Sequence, residues 1–483
     1  NHIDAIIGLP ANIFFGTGIP TIIMVLRQKR ENTDVLIIDA SKGFIKEGKN
    51  NKLRASDIKR IADTFIKRES VAKFSRVVSR EEIRSNDYNL NIPRYVDSSE
   101  AAEHWDVYAS MFGGIPTAEI DEMSEFWTAF PALKKALFTE SGIPYVNVST
   151  PDIKSAIKSH PDVVGFENAF NAAFSTFPAF LKEELIDRMG SIEISKAETV
   201  LSADIFERLK DIPLIDKYAA FQLLDDDWTG ISIDLEMLQT EGFAATKKVD
   251  PNLVIKKKDG KDQEVQEGWV GHIIPFDLVQ ATLLSAETDE LHGLESRLAE
   301  IPSEYESILD EMTEEDKESC NDVLTEEGDA FVPKEVSKKI KELKKDRSPE
   351  SVALRTLLEK VESLVKSEKE IKAEIKAKSA ALQAKTKDTI ERLSDEQALD
   401  LLEKKWIAPL IESIHKLPDT VIDSLVSKIQ ALQNKYATTF FEVEQQISET
   451  EATLSGMIDD LEGNEYDMLG LNELKKLLGG SAE

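Results

Sequence analysis

The chain has 483 residues, enough for about two to four domains, with 59 Lys/Arg against 90 Asp/Glu for a net charge of −31, and 41% apolar residues. That composition can bury a sizeable core and excludes wholesale disorder. One cysteine, Cys320, excludes a disulfide framework and a cysteine-rich metal site and fits a reducing cytosol; the longest apolar stretch, residues 19–26 with Pro20 inside it, is too short to cross a bilayer.

The chain opens inside an apolar strand pattern with no basic leader, which reads as the later part of something longer, neither secreted nor membrane-anchored. Residues 3–9, 21–26 and 35–39 are β-branched runs bounded by Gly, Pro or Asn and predict three strands. The first two are joined by the loop from Pro10 to Pro20, and a helix is predicted from an N-cap at Ser56 through Ile58, Ile61, Ala62 and Phe65. With only three strand patterns, residues 1–97 predict the edge of an α/β sheet.

Residues 98–285 read as a helical middle region punctuated by prolines, with Trp105, Phe112, Phe126, Trp127, Phe130 and Phe138 as a small core and an irregular insert at 229–275. Residues 286–349 form an acidic connector. Residues 350–483 read as a long-helix, coiled-coil-like region: one helix over 350–393, a second after the capping box Ser394-Asp395-Glu396-Gln397, and a third over 419–461, the first and third expected as an antiparallel hairpin or a partner-binding surface. The fold class expected is a helix-dominated chain with an α/β edge at its start.

Charge is uneven. Residues 1–97 carry 17 Lys/Arg and 12 Asp/Glu, a net of +5, and the remainder carries −36. The asymmetry points to a polyanion-facing part joined to an acidic part unable to cover phosphates, although a solvated face gives the same pattern. The six histidines are scattered, with no His-x-x-x-His, so no metal site is expected. Cys320 lies in an acidic stretch that raises a thiol pKa and argues against a nucleophile. The glycine loop Phe14-Phe15-Gly16-Thr17-Gly18 is followed by strand rather than helix, so it fails as a cofactor loop. It remains either a tight turn with packed aromatics or a base-stacking platform.

The blocks Ile6-Ile7-Gly8-Leu9-Pro10-Ala11-Asn12-Ile13-Phe14-Phe15-Gly16-Thr17-Gly18-Ile19-Pro20-Thr21, Val35-Leu36-Ile37-Ile38-Asp39-Ala40-Ser41, Lys49-Asn50-Asn51-Lys52-Leu53 and Asn86-Asp87-Tyr88-Asn89-Leu90-Asn91-Ile92-Pro93-Arg94-Tyr95-Val96 resemble the modification (methyltransferase) subunit of type I restriction–modification systems. Residues 215–280 and 394–410 resemble the long version of that family more loosely. The resemblance implies a Rossmann-like sheet and methyl transfer from S-adenosylmethionine to the exocyclic amine of adenine in duplex DNA. It also implies a specificity subunit, a second modification subunit and, in complexes that carry one, a restriction subunit as cytoplasmic partners. The family's Asp-Pro-x-x-Gly-x-Gly cofactor loop and Asn-Pro-Pro-Phe/Tyr motif, which precede these blocks, are absent. Residues 1–97 therefore resemble the back of the catalytic domain, and this chain alone is expected to bind no S-adenosylmethionine and transfer no methyl group. By the same resemblance Phe15 is the aromatic that sandwiches the extruded base, with Phe14 turned into the sheet, and Gly16, Thr17, Gly18, Lys49, Lys52 and Arg54 lie along the DNA. Lys42, Lys46, Lys59 and Arg60 are further candidates for the DNA-facing side. The alternative is a non-catalytic helical scaffold that docks onto the specificity subunit.

Overall fold

The computed structural model describes all residues except 1, 15, 17, 100–103, 141–143, 259–260, 326–327, 347 and 479–483. Helix dominates, and the chain divides into two compact units: Asn1–Leu181 with Glu193–Thr229 and Pro409–Glu483, and Lys182–Ile192 with Gly230–Ala408.

The first unit begins with the expected strands, β1 (Ile3–Gly8), β2 (Ile22–Leu26) and β3 (Val35–Asp39). A hairpin, β4 (Ile45–Glu47) with β5 (Asn50–Lys52), then leads into helix α1 (Ala55–Lys67) and a fourth sheet strand, β6 (Ser75–Val78). The sheet order is β2-β1-β3-β6, with β1 parallel to β3 and antiparallel to β2. Every residue of β3 is buried, as a strand covered on both faces requires. Ile6, Ile37 and Val78 pack on one face with Tyr95 and Val96, and Ala5, Leu36 and Ile38 on the other with Ile61 and Phe65 of α1. β6 and the β4–β5 hairpin were not visible in the pattern, because short runs such as Ser-Arg-Val-Val and Asn-Asn-Lys carry no apolar alternation. The N-cap of α1 is Arg54, not Ser56. Ser56 is buried in the first turn, where its backbone N–H donates to Oε1 of Gln222 at 3.0 Å.

In the middle region Phe126 and Phe130 are buried with Leu133, Ile157 and Phe166 as expected, but Trp105 and Phe112 are 57% and 60% exposed. A small three-stranded sheet, Ile115–Pro116, Phe138–Glu140 and Tyr145–Val148, lies among the short helices. Pro161 stands at the first turn of the helix Pro161–Phe174, where a missing N–H costs nothing. Helix Leu417–Lys435 packs into this same core through Val421, Leu425 and Ile429.

The predicted 419–461 helix is broken. It ends at Lys435 and restarts at Phe440 behind a capping box in which the Thr439 side chain accepts from the Glu442 N–H and Glu442 returns the bond to the Thr439 N–H. Two terminal helices follow, Phe440–Asp459 and Glu465–Leu477, and leave Phe440, Phe441, Ile447, Met457, Leu469 and Leu477 exposed.

In the second unit, the expected irregular insert is regular: after the end of helix Lys217–Glu241, Val249–Lys258 and Lys261–Gly271 form a long antiparallel hairpin. The acidic stretch 286–349 is largely folded. Helix Ser285–Glu311 runs through Pro302, and Ile308, Leu309, Val336 and Ile340 pack against Leu354, Leu358 and Val361 of the long helix Pro349–Glu391. That helix finds its partners inside the second unit, on Ser285–Glu311 and on Pro333–Leu343, while Leu417–Lys435 packs inside the first. Acidic residues on an amphipathic helix sit on its solvent side and do not prevent burial of the other face. The second capping box forms as read, with Ser394 and Gln397 exchanging bonds at the start of Asp395–Trp406. Cys320 is fully buried in this core, and burial, more than its acidic neighbours, pushes its thiol up.

Candidate nucleic-acid interface

The carboxyl ends of β1 and β3 lie side by side, with the Ala40 N–H donating to the Gly8 carbonyl at 2.9 Å. Ligands of open α/β sheets bind beyond such strand ends. Gly8 is closely approached there: a Cβ would stand 2.6 Å from Cδ1 of Ile92, whose side chain would have to shift. Asp39 ends β3 with its side chain buried; its Oδ1 accepts from the Ser41 N–H at 3.0 Å and its Oδ2 from the Ser98 hydroxyl.

The loop of residues 9–21 leaves from this end and returns as β2. The Leu9 N–H donates to the Thr21 carbonyl at 2.8 Å and closes its base. Asn12 takes a left-handed φ of 55° and Gly16 one of 82°, a conformation glycine adopts without strain. Asn51 of β5 reaches across from the hairpin and binds the loop twice, its side-chain Nδ2 to the Ala11 carbonyl at 2.7 Å and its N–H to the Asn12 carbonyl at 2.9 Å. Phe14 is 51% exposed rather than turned into the sheet, because residues 10–20 form a loop without strand alternation. Gly16 and Gly18 are exposed beside it; Phe15 and Thr17 lie outside the described residues.

The cations fall into two groups. Lys42, Lys46 and Lys49 are exposed, with Lys49 at the two-residue turn of the β4–β5 hairpin, and none has a carboxylate partner among the described residues. The others are engaged. Lys52 pairs with Glu47 across the hairpin at 3.0 Å. Arg54 meets Asp57 through Nε at 2.9 Å and a second nitrogen at 3.0 Å, a bond that raises the guanidinium pKa further. Lys59 and Arg60, read as DNA-facing candidates, instead lie over rings: Lys59 is 5.3 Å from Phe206 and from Phe221, and Arg60 is 4.3 Å from Phe74. Arg27, Arg30 and Arg68 converge on the buried Asp4 carboxylate at 3.3, 3.2 and 2.7 Å. Much of the positive excess of residues 1–97 is thus spent inside the fold.

Among the described residues no group of three or more His, Cys, Asp or Glu could hold a metal ion, and no helix is long and apolar enough to cross a membrane. Asn51 and Asp39 were not singled out from sequence. The signal for Asp39 is a carboxylate that closes an all-apolar strand; for Asn51 there is only one of two adjacent amides between Lys49 and Lys52.

This strand-end loop and its pinning hairpin belong to the part of the chain, residues 1–104, that matches the N-6 DNA methylase family. The chain is 39% identical across 108 residues to the MpnII type I restriction enzyme methylase subunit of Mycoplasma pneumoniae, covering 22% of this chain and 20% of that one. It is 39% identical across 111 residues to the MjaVII type I restriction enzyme methylase subunit of Methanocaldococcus jannaschii, covering 22% and 19%. A solved type I restriction–modification methyltransferase subunit from Streptococcus thermophilus matches at 51% identity over 20% of this chain and 21% of that one, with a TM-score of 0.20. The chain thus spans about a fifth of the length of these relatives, and the likeness to type I modification subunits read from residues 3–97 holds.

Proposed function

We propose that residues 1–104 are the later strands of the catalytic domain of a type I modification subunit, which transfers a methyl group from S-adenosylmethionine to the exocyclic amine of adenine in duplex DNA. The observation that carries the reading is the coincidence of the methylase match with a loop at the carboxyl end of β1, pinned by Asn51 and flanked by Lys46 and Lys49. The missing Asp-Pro-x-x-Gly-x-Gly and Asn-Pro-Pro-aromatic motifs assign cofactor binding and the first contact with the amine to another segment. The present loop's part is to receive the extruded base, with Phe15 as the stacking ring. Cation contacts to phosphate come from Lys46 and Lys49, with Lys52 and Arg54 as weaker contributors because each already has a carboxylate.

Docking onto the specificity subunit falls to the terminal helices Phe440–Asp459 and Glu465–Leu477, whose exposed apolar side chains contrast with the packed stripe of the long helix. That contrast is also what favours the scaffold reading for the rest of the chain: net −36 over residues 98–483 repels phosphate, so its contacts are with protein. The test is transfer of labelled methyl to duplex DNA by the assembled subunit and its specificity subunit, followed by digestion to nucleosides. Label on N6-methyl-2′-deoxyadenosine supports the reading, and label elsewhere, or none, contradicts it.

A further inference from the structure

The acidic part of the chain reverses sign over residues 333–345. Residues 286–332 hold 2 Lys/Arg and 17 Asp/Glu, a net of −15, and residues 333–345 then hold six Lys and two Glu, a net of +4. Helix Pro333–Leu343 sorts those lysines. Val336 and Ile340 are buried against the long helix Pro349–Glu391, and Leu343 packs beside them. On the opposite side Lys334, Lys338 and Lys341, with Lys345 in the turn that follows, share a stripe about 60° wide at roughly 100° per residue. All four are exposed. Of these only Lys338 meets a carboxylate among the described residues, that of Glu335 at 2.8 Å. Lys339 and Lys344, off the stripe, are turned to the fold: Lys339 donates to the Ser319 carbonyl at 2.6 Å and pairs with Asp322 at 3.2 Å, and Lys344 lies 4.0 Å from Glu359.

A merely solvated helix face looks different, and the neighbouring long helix shows how: its Lys366, Lys372, Lys378 and Lys387 each have a glutamate one turn away. The helix dipole favours lysines in the last turn of Pro333–Leu343 but opposes Lys334 in the first. We infer that the stripe of Lys334, Lys338, Lys341 and Lys345 is a contact for the phosphate backbone of duplex DNA, made without reading sequence. Two features select that occupant over an acidic protein. No large apolar side chain is exposed on residues 333–345, whereas protein interfaces deplete lysine and centre on apolar or aromatic groups. Phosphate contacts need only cations and polar donors. The second feature is length: a rise of about 1.5 Å per residue spreads the four lysines over roughly 16 Å, the axial span of about five phosphates on one strand.

The acid of residues 98–483 governs approach from a distance, but salt limits the reach of an exposed charge to about 8 Å at physiological ionic strength. At contact the local surplus of lysine decides. The stripe is thus the exception to the protein contacts assigned to the rest of that part. The inference rests on the methylase reading of residues 1–104, which brings the duplex.

The test is fluorescence anisotropy of the full chain with a labelled duplex of arbitrary sequence, between about 50 and 200 mM KCl. Lys334→Gln combined with Lys341→Gln and Lys345→Gln should lower the slope of log affinity against log salt by about 2.7, at roughly 0.9 per phosphate contact, and weaken binding about tenfold or more at the lower salt. Lys334→Arg with Lys341→Arg and Lys345→Arg should keep the parent slope, and so should Lys366→Gln with Lys372→Gln; each variant is checked for an unchanged melting temperature. On the parent protein the duplex should shield Lys334, Lys341 and Lys345 from acetylation more than Lys366, a readout that needs no variant. No measurable binding by the parent, an unchanged slope in the triple glutamine variant, or equal acetylation with and without duplex overturns the inference. An unchanged slope with lost co-purification of the specificity subunit makes the stripe a protein contact and overturns it as well. If the slope falls but the assembled subunit methylates no adenine, the stripe stands and the methylase reading fails; if adenine is methylated while the slope is unchanged, the reverse holds.

Discussion

Asn51 donates its side-chain amide to the Ala11 carbonyl at 2.7 Å, so a residue of the short β4–β5 hairpin holds the loop that follows β1. Phe14, Gly16 and Gly18 are exposed, Leu9 and Ile13 pack against the sheet, and the loop's backbone is anchored at the base by the Leu9–Thr21 bond and midway by Asn51.

Asn51→Ala should therefore loosen the loop more than it destabilises the protein. One side-chain hydrogen bond contributes about 0.5–1.5 kcal/mol. Hydrogen exchange should rise at residues 11–14 while the melting temperature moves by only a few degrees. Equal protection in the variant and the parent would show that the hairpin is not what orders the loop.

Lys46 and Lys49 bear on DNA affinity. If both meet phosphates, Lys46→Ala with Lys49→Ala should lower the slope of log affinity against log salt by about 2, at roughly 0.9 per phosphate contact. Lys59→Ala should leave the slope unchanged, since its ammonium is held against Phe206 and Phe221. An unaltered slope in the double variant would place the duplex elsewhere.

What the sequence disclosed follows from period and contrast. β1 and β3 were legible because they are short apolar runs rich in β-branched residues, and the Ser394 capping box because its two side chains satisfy each other locally. The break at residues 436–439 was missed although Thr439 and Glu442 carry the same signature, because the apolar spacing of Val421, Leu425, Ile429 and Leu432 drew the helix past it. Partners were the least legible. Nothing local tells Lys59 to lie over Phe206, or Asp4 to gather three arginines, since those contacts join residues far apart in sequence. At the site, the strand-end loop and its flanking lysines could be read, but the pin from Asn51 is tertiary.

His272 gives the base of the long hairpin a pH dependence. Its Nδ1 lies 2.6 Å from Asp250 and its Nε2 3.1 Å from Glu241, and the bond to Asp250 does most to raise its pKa above the usual 6.5. A raised pKa means the protonated pair stabilises fully below about pH 6.5, and the contribution is lost as pH climbs through the folded value. Melting temperatures from pH 5.5 to 8.5 should show a decline that His272→Gln flattens. The same decline in the variant would assign it to another group.

The two long-helix regions should respond differently to substitution. Leu358 is fully buried, so Leu358→Ala should cost about 2–5 kcal/mol in chemical denaturation. Ile371→Glu combined with Ile375→Glu should likewise harm folding of the second unit, since both side chains pack within it. Phe440→Asp combined with Met457→Asp, on exposed positions, should leave stability within about 0.5 kcal/mol per site yet abolish co-purification with the specificity subunit. Retained co-purification would remove the terminal helices from the interface.

The most direct test of the methylase reading is the effect of Phe15→Ala on a subunit that carries the cofactor-binding segment and its specificity partner. Methyl transfer and duplex affinity are measured on the same preparation. Base–aromatic stacking of about 1–3 kcal/mol sets the scale. The methylation rate is expected to fall roughly ten- to a hundredfold with duplex affinity nearly unchanged. A variant that methylates adenine at the parent rate would contradict the assignment of this loop to the flipped base.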